Sequence, residues 1–403
     1  MREIILLNAT GQDHSGLTAA LTDLMVLHDV NILDIGQAVI HSHVSLGMLL
    51  EIPPQTNALT VMKDLLFEGH RLGLNINFTP IEAAEYEQWV ELQGKPRYIV
   101  TMLGRKLTAG NISRVARVVA DHQLNIDGMT RLSGRFSLQN EQPHRRACVE
   151  FSLRGVPDNI TQLREAFLEI TCDEEVDIAF QEDNLYRRHR RLIVFDMDST
   201  LIQVEVIDEL ARAAGIGEKV SAITESAMRG EIDFKESFHR RLGLLKGLDE
   251  SVLEEIAESL PITEGADRLI SNLKRLGYQV GILSGGFTYF ANHLQKKLGI
   301  DFVGANRLDI VDGKLTGIVK GDIVDGAKKA ELLQEMAAKM GIGLEQTIAV
   351  GDGANDLPML RLAGLGVAFH AKPVVRKGAQ HAISTLGLDG ILYLLGVRDR
   401  EVM

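Results

Sequence analysis

The sequence predicts an α/β protein in which a parallel sheet, covered on both faces, follows two smaller βαββαβ units. Three observations carry this. Apolar runs at Leu192-Ile193-Val194-Phe195, Gln279-Val280-Gly281-Ile282-Leu283 and Ile348-Ala349-Val350 each end in a polar cluster and are separated by helical stretches, the pattern of buried parallel strands with ligands beyond their carboxyl ends. A self-similarity relates residues 1–84 to 97–180: Gly16 to Asn31 and Gly110 to Asn125 are both spaced by 15 residues, with Asn31-Ile32 matching Asn125-Ile126. A charged helical stretch, about 205–264, interrupts the α/β pattern after the first of the apolar strands.

In the first unit, Ile4 to Asn8 reads as a strand and Asp13-His14-Ser15-Gly16 as the turn that opens a helix bearing Leu17, Leu21, Leu24 and Leu27. Val30–Ile35 and Val39–Ile52 read as strands, Leu59–Leu72 as an amphipathic helix, and Asn75–Pro80 as the closing strand. His41 and His43 lie two apart on the predicted second strand, where an exposed pair without a third ligand is preferred to a metal site. In the second unit Arg97–Gly104, Cys148–Leu153 and Val176–Phe180 are predicted strands, with helices at Asn111–His122 and Ile160–Phe167. Polar stretches 85–96 and 181–191 read as linkers. Within 205–264, helices are expected from Ile207, over Val220–Arg229, over Phe234–Leu245 and over Ser251–Leu260. Asp312-Gly313 between apolar runs predicts a two-residue hairpin, and Leu365–Phe369 and Ala382–Leu386 read as the last strands.

The chain has 403 residues, 45% hydrophobic and 24% charged, enough for several cores. A formal charge of −12 and the lack of a basic stripe with interleaved aromatics argue against nucleic acid. Ile4–Leu7 is too short for a signal peptide core, and no apolar run approaches a membrane span, so a cytoplasmic protein that does not enter membranes is expected. Cys148 and Cys172 belong to no Cys/His cluster. Two buried free thiols are expected rather than zinc or a disulfide.

The chemistry is concentrated at four strand or helix ends: Asp196-Met197-Asp198-Ser199-Thr200-Leu201, Ser284-Gly285-Gly286, Ala327-Lys328-Lys329, and Gly351-Asp352-Gly353-Ala354-Asn355-Asp356. Asp196 and Asp198, two apart in extended chain, can face one site; each motif alone could be a turn or cap, with Ser284 as a helix N-cap and Lys328 as a solvated lysine. Together they supply carboxylates, a hydroxyl with backbone amides, and an ammonium, the inventory of a magnesium-dependent phosphoryl-transfer site. An aspartate nucleophile is already ionised at neutral pH, and its difficulty is approaching an anionic phosphate.

In this order, D-M-D-S-T-L, S-G-G-F, A-K and G-D-G-A-N-D make residues 192–398 resemble the haloacid dehalogenase superfamily, and in detail its phosphoserine phosphatases. The resemblance implies a Rossmann-like hydrolase domain with a small helical cap at about 205–264, and Mg²⁺-dependent hydrolysis of O-phospho-L-serine. It implies Asp196 as nucleophile and Asp198 as general acid and base. Asp196, Asp352, Asp356 and the Asp198 carbonyl would be the metal ligands, with Asp356 bound directly or one shell out. Ser284, the Gly285 amide, Lys328 and Asn355 would hold phosphate, with Lys329 the competing lysine. Glu205, nine residues after Asp196, would receive the substrate ammonium, and Arg241, downstream of Phe234 in the cap, the substrate carboxylate.

The two repeats resemble ACT domains, which implies a homodimer and an amino acid effector such as L-serine, with Asp13, Gly16 and Gly110 at the ligand turns; the second turn keeps the glycine and loses the acid. Plain dimerisation scaffolding is the other reading. Rival functions are a related phosphomonoesterase, a phosphotransferase, and an amino-acid-responsive regulatory protein with a vestigial hydrolase domain.

Overall fold

The computed structural model describes residues 3–137, 139, 145–173, 175–229 and 231–402, with the side chains of residues 93, 172, 173, 228 and 234 left outside that description. The chain forms two compact units, 1–95 and 96–403. The first contains β1 (Glu3–Gln12), α1 (Leu17–Leu27), β2 (Asn31–Ile40), β3 (His43–Ile52), α2 (Ala58–Arg71), β4 (Leu74–Ile81) and α3 (Ala83–Glu91). Its antiparallel sheet has the order β2-β3-β1-β4. Alternation is strict along β1, where Ile5, Leu7 and Ala9 are buried against Leu21, Met25, Val61 and Leu65, as a sheet with one covered face requires.

Two expectations fail here. The long second strand is broken by a tight turn: His41 takes a left-handed φ of 58°, and β3 pairs back on β2 from His43. His41 and His43 are both exposed, as expected, but only His43 lies in a strand. The stretch read as a linker from residue 85 instead continues α3 and a following 3₁₀ turn at Leu92–Gly94. The four-residue spacing of Tyr86 and Val90 was masked by its many charges.

The second unit opens with β5 (Arg97–Gly104), α4 (Ala109–Asp121), β6 (Asn125–Arg131), β7 (Ala147–Arg154), α5 (Ile160–Asp173) and β8 (Val176–Glu182). The order β6-β7-β5-β8 repeats that of the first sheet. Even the bulges recur, after Ile32 in β2 and after Ile126 in β6, so the duplicated Asn-Ile pair marks an equivalent irregularity in each ladder. The repeats differ in burial. On β5, Tyr98, Val100 and Met102 pack into the local core, while Ile99, Thr101 and Leu103 on the opposite face are also buried. Leu103, Leu132, Cys148 and Ala179 belong to the apolar cluster of the catalytic core. The buried free thiol expected at Cys148 is present; the side chain of Cys172 lies outside the described residues.

The second predicted linker is likewise structured. Beyond β8, Leu185–Arg188 form a 3₁₀ turn in which Arg187 is buried and pairs with Glu150. The main sheet follows: β9 (Leu192–Phe195), then α6 (Val206–Ala213), α7 (Gly217–Met228), α8 (Phe234–Gly243) and α9 (Ser251–Ser259) of the cap, α10 (Ala266–Arg275), β10 (Gln279–Phe287), α11 (Thr288–Leu298), β11 (Phe302–Val311), β12 (Lys314–Lys320), α12 (Gly326–Lys339), β13 (Thr347–Gly351), α13 (Leu357–Leu362), β14 (Leu365–Phe369), α14 (Pro373–Gly378), β15 (His381–Ile383) and α15 (Ile391–Leu394). The seven strands run β12-β11-β10-β9-β13-β14-β15, parallel except for the β11/β12 hairpin, whose Asp312 and Gly313 take φ of 50° and 72°, the double left-handed turn that Asp-Gly favours. Because β9 is the central strand, every residue of Leu192–Phe195 is fully buried. No described helix is long and apolar enough to cross a membrane.

The small sheet is fastened to the large one by polar contacts. Asp177, fully buried on β8, accepts hydrogen bonds from the Ser384 and Thr385 amides, each at 2.8 Å, and from the Thr385 hydroxyl at 2.6 Å. Gln181 donates to the Leu394 carbonyl at 3.0 Å. Replacing Asp177 by alanine leaves buried donors unpaired, at a cost of about 3 kcal/mol. Asp177→Ala should therefore lower the melting temperature of unit 96–403 by roughly 5 °C in differential scanning calorimetry, and an unchanged melting point would mean that the docking is dispensable.

Candidate active site

The central strand β9 delivers Asp196 at its carboxyl end, where the Asp196 amide still donates to the Val350 carbonyl of β13 at 2.8 Å. Beyond it the chain reverses tightly. Asp196 Oδ1 accepts from the Met197 amide at 2.6 Å, and Ser199 adopts a left-handed φ of 55°. The turn places the Asp198 carboxyl in a buried position where Oδ1 has no hydrogen-bond partner among the described residues. Burial, together with the charges of Glu205 and Asp196, raises this carboxyl well above the usual range, so it favours the protonated form.

The neighbouring strand β10 brings Ser284, fully buried, whose Oγ accepts from the Gly286 amide at 2.9 Å. A Cβ on Gly286 would lie 2.7 Å from the Met197 side chain and 3.1 Å from Asp198 Oδ2. Glycine is therefore what lets this loop approach the carboxylate turn. Gly285 is held by Asn306, which donates to its carbonyl at 2.8 Å and accepts from the Val324 amide at 2.9 Å. On the other side, β13 ends at Gly351 and Asp352. The Thr200 hydroxyl donates to Asp352 Oδ1 at 3.2 Å, and the Gly353 amide to Asp356 Oδ2 at 2.9 Å. Asn355 is half-buried beside them.

The lysine of the site is Lys329, which corrects the expectation for Lys328. Lys329 is fully buried, with Nζ 2.7 Å from Asp196 Oδ2 and 2.7 Å from Asp356 Oδ1. Lys328 turns away and pairs with Glu331 at 2.9 Å along its own helix. Consecutive helical residues diverge by about 100°, and the buried stripe of α12 is Lys329, Leu333, Met336 and Ala337. Counting back four from Leu333 reaches Lys329, so helical periodicity carried the information that the two-residue motif obscured. Asp325 sets the helix by accepting from the Lys328 amide at 2.9 Å, and its other oxygen meets Lys235 of the cap at 3.1 Å.

Asp196, Asp352 and Asp356 each offer a carboxylate oxygen, all within 4.8 Å of one another. Desolvation and the nearby Asp196 and Glu205 push Asp352 up to about 7. Burial alone would lower the Lys329 ammonium, but the two carboxylates holding it win and raise it. One ammonium among so many acids leaves an excess of negative charge, and an all-oxygen donor set of this size fits a hard divalent cation. The Asp198 side chain does not join that set.

Glu205 and Arg241 border the same cleft. Glu205 Oε1 accepts from the Ser199 hydroxyl at 2.8 Å, although the residue is exposed to solvent on one side. Crowding by protein and the Asp196 charge raise its carboxyl. Arg241, half-buried on α8, is lowered by desolvation and drawn up again by Glu205, Asp208 and Asp198, so it lies within electrostatic reach of the carboxylate turn. The side chain of Phe234 is outside the described residues. Sequence reasoning missed Ser199, Thr200, Asn306 and Asp325, which hold Glu205, Asp352, Gly285 and α12 in place.

The two repeat turns diverge. Gly16 caps α1 with φ of 93° and no side-chain partner for the helix amides, and Asp13, Ser15, Gly16 and Gln37 line a recess of about 360 Å³ there. Gly110 does not occupy the equivalent position. It lies inside α4, whose first turn is closed by a reciprocal Thr108 and Asn111 capping box. That box takes up the Thr108 and Asn111 amides, so the second turn carries a side-chain cap where the first carries none.

Residues 190–364 match the haloacid dehalogenase-like hydrolase family, and residues 3–79 and 97–181 each match an ACT domain. The chain is 43% identical to the phosphoserine phosphatase of Streptomyces coelicolor, an alignment covering 99% of this chain and 93% of the other. It is 40% identical to a phosphoserine phosphatase of Mycobacterium tuberculosis, over 99% and 94% of the two chains. Among solved structures, a HAD family hydrolase of Salmonella enterica serovar Typhi superposes with a TM-score of 0.63 at 30% identity, covering 74% of this chain and 98% of that one. With a hydrolase domain behind two ACT domains and full-length relatives at this identity, the chain belongs to the phosphoserine phosphatase family of haloacid dehalogenase-like hydrolases.

Proposed function

We propose that this phosphatase hydrolyses O-phospho-L-serine to L-serine and phosphate, the last step of serine biosynthesis, with Mg²⁺ as cofactor and Asp196 as nucleophile. The observation that carries the reading is the position of the buried Lys329 between Asp196 and Asp356, two of the three aspartates whose carboxylates cluster within 4.8 Å. Asp196, Asp352 and Asp356, with the Asp198 carbonyl, would hold the cation; when bound it neutralises the repulsion between phosphate and carboxylate.

The chain's own residues supply the rest. Lys329 orients Asp196 and presents positive charge where phosphate oxygens arrive, beside the Ser284 hydroxyl, the Gly285 amide and Asn355. An Asp196 oxygen attacks phosphorus as the bond to the serine oxygen breaks. Asp198, protonated in its buried position, gives its proton to that leaving oxygen. Water then attacks the aspartyl-phosphate, Asp198 takes its proton, and phosphate leaves with Asp196 restored. Glu205 would pair with the substrate ammonium and Arg241 with its carboxylate, a division that suits their opposite charges on one cleft.

The recess at Asp13 and Gly16 supports a small amino acid effector such as L-serine, since free helix amides favour a carboxylate. Exposed Ile32, Ile35, Val39 and Ile40 on the edge strand β2 support a homodimer. The acidic composition and the family's small-molecule substrates favour the cytoplasm.

Phosphate release from O-phospho-L-serine, O-phosphothreonine and an aryl phosphate, each with Mg²⁺ and with excess chelator, tests the reading. Turnover should need the metal, favour phosphoserine and vanish in Asp196→Asn; preference for the aryl ester would keep the chemistry and discard the substrate. Lys329→Ala should lower kcat by about 10²-fold or more, whereas Lys328→Ala should stay within about twofold of the parent, as expected of an exposed lysine. The reverse ranking would return the role to Lys328. Arg241→Ala should raise KM for phosphoserine by about tenfold or more while barely changing the aryl ester, and equal effects on both would remove Arg241 from substrate recognition.

A further inference from the structure

The cap joins the core through two segments that lie side by side. Going out, Leu201 to Glu205 leads from the carboxylate turn to the acid that borders the cleft. Coming back, Pro261 to Gly265 leads into α10. They are tied by the Gln203 amide donating to the Pro261 carbonyl and the Thr263 amide to the Leu201 carbonyl, both at 3.0 Å, with a bridge between Ile202 and Ile262. Any swing of the cap must pass through this ribbon, and movement of the return segment would carry Glu205 with it.

The return segment is gripped from outside the hydrolase domain. Arg105, just past β5 in the second ACT domain, forks onto Glu264, with Nη1 2.9 Å from Oε1 and Nη2 2.7 Å from Oε2. The Glu264 carbonyl accepts from the Leu388 amide at 2.8 Å. The next residue, Gly265, has φ of 80°, and a Cβ there would lie 2.5 Å from Asp389 Oδ1. Asp389, buried, is paired with Arg146 of the same ACT domain at 2.9 Å and with Arg268 of α10 at 3.0 Å. One arginine of the second ACT domain thus holds Glu264 directly, and another holds Asp389, which packs against Gly265.

We propose that Arg105 is a positioning residue for the cap: its two-bond fork on Glu264 fixes the return segment, and through the paired ribbon it sets the place of Glu205 in the cleft. Arg105 and Glu264 are 36% and 35% exposed, and ion pairs so open to water add little to folding stability. A planar fork adds direction instead, because it fixes both partners' orientation. The second ACT domain is then a mechanical support of substrate binding, whether or not it takes a ligand.

This inference builds on the phosphoserine reading, and the test separates the two. In Arg105→Ala, KM for O-phospho-L-serine should rise about fivefold with kcat nearly unchanged and the melting temperature within about 2 °C of the parent. KM for the aryl phosphate should not follow. Hydrogen exchange of the Ile262 to Gly265 amides should accelerate in the same variant. Glu264→Gln should behave alike, and the double variant should be no worse than either single one. Unchanged exchange at these amides, or equal KM changes for both esters, would overturn the proposal. If the parent chain does not hydrolyse phosphoserine, the substrate reading fails, and the exchange comparison alone still decides whether Arg105 holds the ribbon.

Discussion

The arrangement of this enzyme turns on one buried contact, the Lys329 ammonium held between two carboxylates. Its single positive charge offsets part of the repulsion in a space closed to water, although burial and the Asp196 charge still push Asp356 up to about 8. The contact also dictates much of the surrounding backbone. Gly351 has to be glycine, because a Cβ there would sit 2.4 Å from the Asp356 carboxyl, and a Cβ on Gly326, at the start of α12, would lie 2.6 Å from the Asn355 carbonyl oxygen. The helix that carries the lysine and the strand that carries the acids can therefore approach each other only along a seam without side chains.

Charge balance then orders the rest of the cleft. Burial and like charges raise Asp198 and Asp352, and even Asp356, paired with Lys329, is pushed up to about 8. Asp198 lies two residues beyond Asp196, and the left-handed Ser199 follows it in the turn that leads on to the cap. Environment, rather than residue type, is what raises the Asp198 carboxyl. The cap participates in the same field, since Arg241 reaches the site electrostatically and Lys235 meets the aspartate that starts α12.

Much of this was legible from the residues. Buried strands announce themselves as apolar runs, and the acids at their ends mark where ligands meet a parallel sheet. The Asp312-Gly313 hairpin followed from turn chemistry alone, and the cap helices from the charged helical stretch that interrupts the α/β pattern. Two kinds of information were not local. Choosing between adjacent lysines required the helix phase set by Leu333 and Met336, which a short motif does not contain. The stretches at 85–96 and 181–191 looked like linkers because they are polar, but Arg187 is polar and buried, paired with a glutamate on another element. Tertiary pairing of that sort leaves no periodic trace. The Gly110 turn differs from the Gly16 turn for a related reason: a capping box needs only Thr108 and Asn111, and it takes up two of the amides at the start of α4.

The duplicated ACT domains began with the same strand order and the same bulge, yet only the second has both faces of its central strand covered. That asymmetry bears on how the two copies can diverge. A position on β1 facing away from its helices answers to one neighbour or to water, and drift there is cheap. Its counterpart on β5 answers to its own helices, to the hydrolase core, and to the line of contacts reaching Glu264. The second copy should therefore accept far fewer substitutions than the first, and genetic exchange between the repeats would damage the catalytic domain even where it left each ACT fold intact.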